Sequence, residues 1–140
     1  MFYVRSSKEN QLICFKLIAN LSLISNSVIP QVPVRLNGAK LDYGGRVEVF
    51  YEGKWGKICS KKWDFEDVKV ICRQLGFKRA VAEFVADDVK DVDIPFIMSD
   101  VTCNGKELKL AFCPRTDGNH NGGCQNDDTG AQALCEPKSK

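Results

Sequence analysis

Seven cysteines are the residues of this 140-residue chain whose chemistry is easiest to interpret. Two kinds of site could use them, a structural zinc centre or a set of disulfide bonds. Zinc sites usually draw their ligands from close pairs, and the sequence contains no CxxC or CxxH motif. Six cysteines within one stretch therefore indicate a disulfide framework in an oxidising compartment. These six are Cys59, Cys72, Cys103, Cys113, Cys124 and Cys135.

The pairing of the six cysteines stays open at this point, because spacing alone does not choose among the combinations they allow. Cys14 stands apart from the six near the start of the chain. We expect it to be removed with a leader, to be free, or to pair with another chain.

Catalytic chemistry has few candidate residues. His120 is the single histidine, and it lies in a polar turn rather than beside a nucleophile. Ser60 or Ser99 could join it as far as spacing is concerned. However, no nucleophile elbow, phosphate loop or metalloprotease helix is present. The sequence therefore favours a binding protein over an enzyme.

Charge is distributed unevenly, although the net charge is only +2. Residues 53–79 hold eight basic and three acidic side chains, whereas residues 80–107 hold two basic and seven acidic ones. Such a polarity would orient charged partners. We expect a basic patch for polyanionic ligands, with a plain solvated surface as the alternative. The expected ligand-binding residues are Lys57, Lys61, Lys62 and Arg73.

The elements that position these residues begin with a β-hairpin. Residues 46–51 alternate, with Val47, Val49 and Tyr51 on one face, which predicts a half-buried strand. Residues 52–53 predict a turn, and residues 54–59 a returning strand.

One helix follows, with Asp64 as its N-cap and Gly76 as its stop. Its apolar stripe consists of Val68, Ile71, Cys72 and Leu75. Further strands are predicted at 94–101, 108–112 and 131–135, and a loop at 117–123. The expected fold is a small, disulfide-rich α+β domain with a curved antiparallel β-sheet around one main α-helix.

The first 33 residues differ from the rest of the chain. Their apolar run is short and interrupted by polar residues, so it predicts either a secretory signal peptide or a disordered extension, and no membrane span. Pro30 and Pro33 mark the boundary. We therefore expect a leader at 1–33, one domain at 34–136 and a short tail at 137–140.

Several short motifs follow one another along this domain. They are 34–36 (VRL), 45–49 (GRVEV), 55–59 (WGKIC), 63–64 (WD), 70–76 (VICRQLG) and 99–103 (SDVTC). In this order and at this spacing they resemble a scavenger receptor cysteine-rich domain of the six-cysteine class. The positions of an additional cysteine pair in the eight-cysteine class are filled by Tyr43 and Phe77. The resemblance implies the bridges Cys59–Cys124, Cys72–Cys135 and Cys103–Cys113.

The resemblance also implies a function. Domains of this family are non-catalytic binding modules of secreted proteins and receptor ectodomains, often in tandem or beside other domains. We therefore expect an extracellular module that recognises polyanionic ligands on microbial or host surfaces, without specific nucleic-acid recognition. The alternative is a protein–protein adhesion or scaffolding module of a larger receptor or secreted enzyme, with Phe50 or Phe96 at its contact.

Many members of this family bind Ca²⁺ through acidic residues, and this sequence departs from that pattern. Where two aspartates would follow Cys59, it has Ser60 and Lys61, which lowers the negative charge that Ca²⁺ needs. A reduced site would have to use Asp100, Asp127 or Asp128. We therefore expect the usual calcium site to be degraded.

Overall fold

The computed structural model describes residues 31–85, 89–90, 92–118, 123–124 and 129–138. Val32–Lys140 forms one compact unit. Of the predicted leader only residues 31–33 are described; Val32 is already buried in the core, and its carbonyl accepts a hydrogen bond from Gln74. His120, Asp127 and Asp128 lie outside the described residues.

One helix and seven strands make up the described fold, together with a short 3-10 helix. The strand order in the sheet is β4-β7-β2-β3-β5-β6, and β1 pairs with β2 beside this path. All strand pairs are antiparallel except β3 with β5. The α+β class is therefore confirmed, with one parallel pair in a mainly antiparallel sheet. The elements are β1 Val34–Asn37, β2 Gly44–Tyr51, β3 Lys54–Ile58, α1 Phe65–Gln74, β4 Arg79–Ala82, β5 Phe96–Ser99, the 3-10 helix Leu110–Phe112, β6 Thr116–Asp117 and β7 Gln132–Glu136.

The predicted hairpin is confirmed, because β2 and β3 pair around a turn at Glu52 and Gly53, which both have positive φ. Val47 and Val49 are fully buried in the core. Strand β2 is not half-buried as predicted, because Arg46 and Glu48 on its other face are also buried. The alternating residues of β2 place apolar side chains on one face and ionic side chains on the other, and both faces are buried.

An ionic cluster covers this second face of β2. The Glu48 carboxylate accepts hydrogen bonds from Arg35 Nε at 2.7 Å and from Arg46 Nε at 2.8 Å, and Asn37 also donates to it. Burial alone would raise the pKa of Glu48, but these donors outweigh it and hold the pKa below its usual value. Glu48 is therefore a buried carboxylate stabilised by two guanidinium groups.

The predicted helix is confirmed at both ends. The Asp64 side chain accepts from the backbone of Glu66 and Asp67, while the Asp67 side chain accepts from the backbone N–H of Asp64. This reciprocal pair satisfies the free donors of the first turn. Gly76 follows the last turn with φ of +83°, a conformation that costs glycine no Cβ clash.

The segment 108–112 is not the predicted strand. Leu110–Phe112 forms a 3-10 helix, in which Leu110 is buried while Leu108 and Phe112 are 68% and 51% exposed. The predicted strand is wrong because the two buried residues, Leu110 and Ala111, are consecutive in a helical turn and do not alternate with exposed ones. The predicted strand at 94–101 is shorter, and the one at 131–135 begins one residue later. Strands β1, β4 and β6 were not predicted.

Three disulfides hold these elements together. Cys59–Cys124 and Cys72–Cys135 span 65 and 63 residues, and Cys103–Cys113 spans 10 residues. Cys72 lies on α1 and Cys135 on β7, so their bridge joins the helix to the sheet. These are the pairs that the resemblance implies.

Candidate functional site

A groove of about 570 Å³ opens between α1, the start of β4 and the C-terminal tail. Helical spacing places Phe65, Lys69 and Arg73 on one face of α1, because side chains four residues apart are neighbours. The left-handed stop at Gly76 then turns the chain back beside them. The lining consists of Phe65, Lys69, Arg73, Gly76, Phe77, Lys78, Arg79, Ala80 and Lys138.

Positive charge dominates this groove, which we call the basic groove. Five of its lining residues are lysine or arginine. Two carboxylates oppose them: Glu66 lies 3.0 Å from Lys69 Nζ, and Glu136 bridges Lys78 and Arg79. Five cations against two anions leave a local charge of +3. These ion pairs are solvent-exposed and contribute little each, so the cations can exchange partners with an incoming anion.

Arg73 is held in place at the groove wall by the segment between Cys103 and Cys113. Its Nη1 donates a 2.6 Å hydrogen bond to the backbone carbonyl of Glu107. One face of the guanidinium fork is thereby positioned by the fold. A planar, oriented guanidinium can form paired hydrogen bonds to a sulfate, phosphate or carboxylate. The groove thus combines oriented cations with the apolar rings of Phe65 and Phe77.

The expected basic patch does not exist as one surface. Lys57 is only 1% exposed, with its ammonium 4.4 Å from the centre of the Phe96 ring, so its expected role on the surface is wrong. Strand β3 carries its side chain inward. Lys61 and Lys62 are exposed but do not line the basic groove, whereas Arg73 does. Lys57 lies on β3, Lys61 and Lys62 in the turn that follows it, and Arg73 on α1, so proximity in sequence did not place all four on one surface.

The residues described near the expected calcium position do not fit a Ca²⁺ ligand set. Asp100 is the one described carboxylate of the expected set, and the ammonium of Lys62 lies 3.4 Å from it. Ser60 and Lys61 offer no carboxylate. Ca²⁺ needs six or more oxygen ligands with enough negative charge, and these described residues do not supply them.

One further group of ligand-type atoms, among the part of the chain that is described, brings Cys103, Glu107 and Cys113 together. The two sulfurs form a disulfide and offer no thiolate to a metal. Slight burial raises the pKa of Glu107, but the backbone N–H groups of Asn104 and Gly105 lower it by more. Glu107 therefore shapes the loop that holds Arg73.

Asp67 is a buried carboxyl group that the sequence interpretation did not single out. Its two oxygens accept hydrogen bonds from the backbone of Asp64 at 2.8 Å and of Cys103 at 2.7 Å. Burial raises the pKa of Asp67 from 3.8 to about 6, against the lowering effect of these bonds, and the nearby Asp64 charge adds to the rise. The residue ties the start of α1 to the Cys103–Cys113 loop.

This raised pKa predicts a pH dependence of stability. Between pH 4 and pH 6 the folded chain keeps the Asp67 proton that the unfolded chain has lost, so the free energy of unfolding falls as pH rises, by up to roughly 3 kcal/mol. Asp67→Asn cannot titrate and should lack this contribution. Urea unfolding of both proteins across this range measures it. A stability difference between them that stays constant with pH would contradict the prediction.

Comparison with known proteins places this geometry in context. A family model described as the scavenger receptor cysteine-rich domain matches residues 37–136. Lysyl oxidase homolog 2 from Xenopus laevis is 36% identical over 87 residues, which are 61% of this chain and 11% of that protein. The same-named protein from Gallus gallus is 40% identical over 86 residues, again 61% of this chain and 11% of that protein. The chain thus spans about a tenth of the length of these curated relatives.

Two solved structures share the fold. The third SRCR domain of murine neurotrypsin is 35% identical with a TM-score of 0.54, and the match covers 78% of this chain and 100% of that one. The dimeric form of the SRCR domain of mouse MARCO is 26% identical with a TM-score of 0.50, covering 78% and 92%. SRCR abbreviates the name of the family whose model matches.

Proposed function

The chain belongs to the scavenger receptor cysteine-rich family, and from this premise we propose that it binds polyanionic ligands through the basic groove. Domains of this family are typically extracellular and non-catalytic. The three disulfides suit an oxidising, extracellular setting. Within the described residues, no helix is long and apolar enough to cross a membrane. We further propose that the domain is one module of a larger secreted or cell-surface protein.

The observation that carries the proposal is the convergence of five cations on one groove, in which a backbone carbonyl positions Arg73. Sulfated or phosphorylated polymers present repeated anions that such cations can pair with. The rings of Phe65 and Phe77 add apolar surface against which the carbon skeleton of a saccharide can pack. The groove has room for a few sugar units rather than a single ion.

The test removes positive charge from the groove and leaves the ion pairs of Lys78 and Arg79 with Glu136 unchanged. We expect the double variant Arg73→Gln/Lys138→Gln to weaken binding to a heparin-type sulfated glycan roughly 30-fold, which is about 1 kcal/mol per lost contact. The slope of log affinity against log salt should decrease by about two, since two fewer counterions are released. Isothermal titration at several salt concentrations measures both quantities.

A matched control removes the same charge elsewhere. Lys61→Gln/Lys62→Gln has the same net charge as the groove variant but changes two exposed residues outside the groove. We expect it to bind within about threefold of the unmodified chain, as long-range attraction alone is screened by salt. Equal losses in both double variants would show that net charge, and not the groove, governs binding.

A protein–protein adhesion module is the second candidate, and one observation favours it. Leu108, two residues before the short 3-10 helix, and Phe112, its last residue, are both more than half exposed. The expected contact residues do not serve, because Phe96 is only 5% exposed and Phe50 is half-buried with its ring 5.4 Å from that of Trp55. Adhesion through Leu108 and Phe112 would show little salt dependence and would be lost in Leu108→Ser/Phe112→Ser.

A further inference from the structure

Strand β4 lies at one end of the sheet. Its strand neighbour is β7, and no other described strand pairs with it. Val81 in this strand is 50% exposed, and Phe84 just beyond it is 62% exposed. An edge strand with exposed apolar side chains is a template for pairing with another chain. The sequence of β4 indicates which chain could pair with it.

β4 and the residue after it, Glu83, read Arg-Ala-Val-Ala-Glu over residues 79–83, and this segment is complementary to itself. In an antiparallel pair centred on Val81, Arg79 of each copy lies opposite Glu83 of the other. Ala80 lies opposite Ala82, and the two Val81 side chains meet. Opposite charges and apolar residues placed directly across a strand pair stabilise it. We propose that a second copy of this chain docks on β4 in this register to form a weak symmetric dimer.

The local backbone limits the length of this contact. The register between β4 and β7 shifts between Ala80 and Ala82, so Val81 has no Cα partner on β7. A bulge of this kind bends a strand and increases its twist, which confines flat pairing to about five residues. Interfaces of this size fall below those of stable complexes. The dimer is therefore transient, and concentration controls it.

The position of β4 connects this dimer to the basic groove. Arg79 and Ala80 belong to both the edge strand and the groove lining, so the two grooves lie on either side of the dimer seam. A polyanion long enough to span both would bind two sites of one particle, and this linkage raises its affinity. This second step rests on the proposed function, whereas the strand pairing does not.

Sedimentation velocity of the full chain, at concentrations up to about 1 mM and without polyanion, tests the pairing. All proteins carry Cys14→Ser so that no intermolecular disulfide through Cys14 contributes. We expect a reversible dimer. Glu83→Arg places an arginine opposite Arg79 at both ends of the strand pair. It should therefore raise the dissociation constant of the dimer roughly tenfold. Arg79→Glu/Glu83→Arg, combined with Glu136→Lys so that the Arg79–Glu136 pair between β4 and β7 also keeps opposite charges, restores complementary charges and should restore the dimer.

A control variant, Glu52→Arg, makes the same charge change at an exposed site on the β2–β3 turn and should leave the dimer unchanged. A chain that stays monomeric throughout would overturn the proposal. So would a dimer that is indifferent to Glu83→Arg, or one that the charge exchange does not restore.

Adding a heparin-type oligosaccharide then separates the two proposals. Tighter dimerisation with the glycan supports both. If the charge-exchange variants behave as expected but the glycan leaves dimerisation unchanged, strand pairing stands and the bridging of two grooves by one polyanion fails. The titration of the groove variant then decides whether a single groove binds polyanions.

Discussion

Replacing Cys72 and Cys135 with alanine is expected to lower the free energy of unfolding by about 4 kcal/mol. The bridge closes a segment of 63 residues, and closing a long segment removes much conformational entropy from the unfolded chain. Domains of this size have a free energy of unfolding of only about 5–15 kcal/mol in total. Most molecules of the double variant should therefore be unfolded at moderately raised temperature. Chemical unfolding of the double variant, compared with the unmodified chain, measures the loss.

The local bridge serves as the internal comparison. Cys103–Cys113 closes only 10 residues, and its removal should cost about 3 kcal/mol by the same relation. Removal of Cys59–Cys124, which spans 65 residues, should resemble removal of Cys72–Cys135. A larger loss for the local bridge than for both long ones would show that chain entropy does not set the order.

Glu48→Gln is expected to destabilise the domain by about 3–5 kcal/mol, because it leaves a buried guanidinium without its counter-charge. The Arg46 side chain is 2% exposed and lies 2.8 Å from Glu48, so it cannot recover its hydration without unfolding. The substitution keeps the size of the side chain, which separates the electrostatic loss from a cavity. Urea unfolding at neutral pH gives the difference in stability.

Arg35→Gln provides the matched control, since it removes the other guanidinium that contacts Glu48. The Arg35 side chain is 44% exposed, so water screens this pair and we expect a loss of at most about 1 kcal/mol. Replacing Arg46 and Glu48 together with Met and Leu should recover most of the stability lost in Glu48→Gln. If Arg35→Gln costs as much as Glu48→Gln, the burial of the pair is not what makes it important.

Glu48 and Asp67 also respond to pH in opposite directions. The lowered pKa of Glu48 means that its contribution to stability is present above its unfolded pKa and is lost as pH falls through the folded one. The raised pKa of Asp67 has the reverse effect, because its neutral form is the one that the fold favours. Both groups are buried, and the difference lies in the guanidinium partners that only Glu48 has.

Local features of the chain could be predicted from the sequence because their causes are local. The N-cap Asp64, the glycine stop at Gly76 and the apolar stripe between them determine α1 through contacts within four residues. The hairpin follows from alternation and a two-residue turn. Strand β4 escaped prediction because four residues with two alanines carry little periodic signal, and pairing with β7 decides their conformation.

The number and grouping of the six cysteines determine that the domain is disulfide-bonded, and the motif resemblance supplies a pairing. The functional surface is different, because it depends on which side chains face solvent and which elements meet. Part of the basic groove could be predicted from the sequence, because the helical spacing of Phe65, Lys69 and Arg73 places them on one face of α1. Only the tertiary structure shows that Lys138, from the far end of the chain, lines the basic groove and that the Lys57 side chain is buried. Counting charges along the chain predicts neither the position of Lys138 nor the burial of Lys57. Burial and long-range packing, and not distance in sequence, decide where a charge lies.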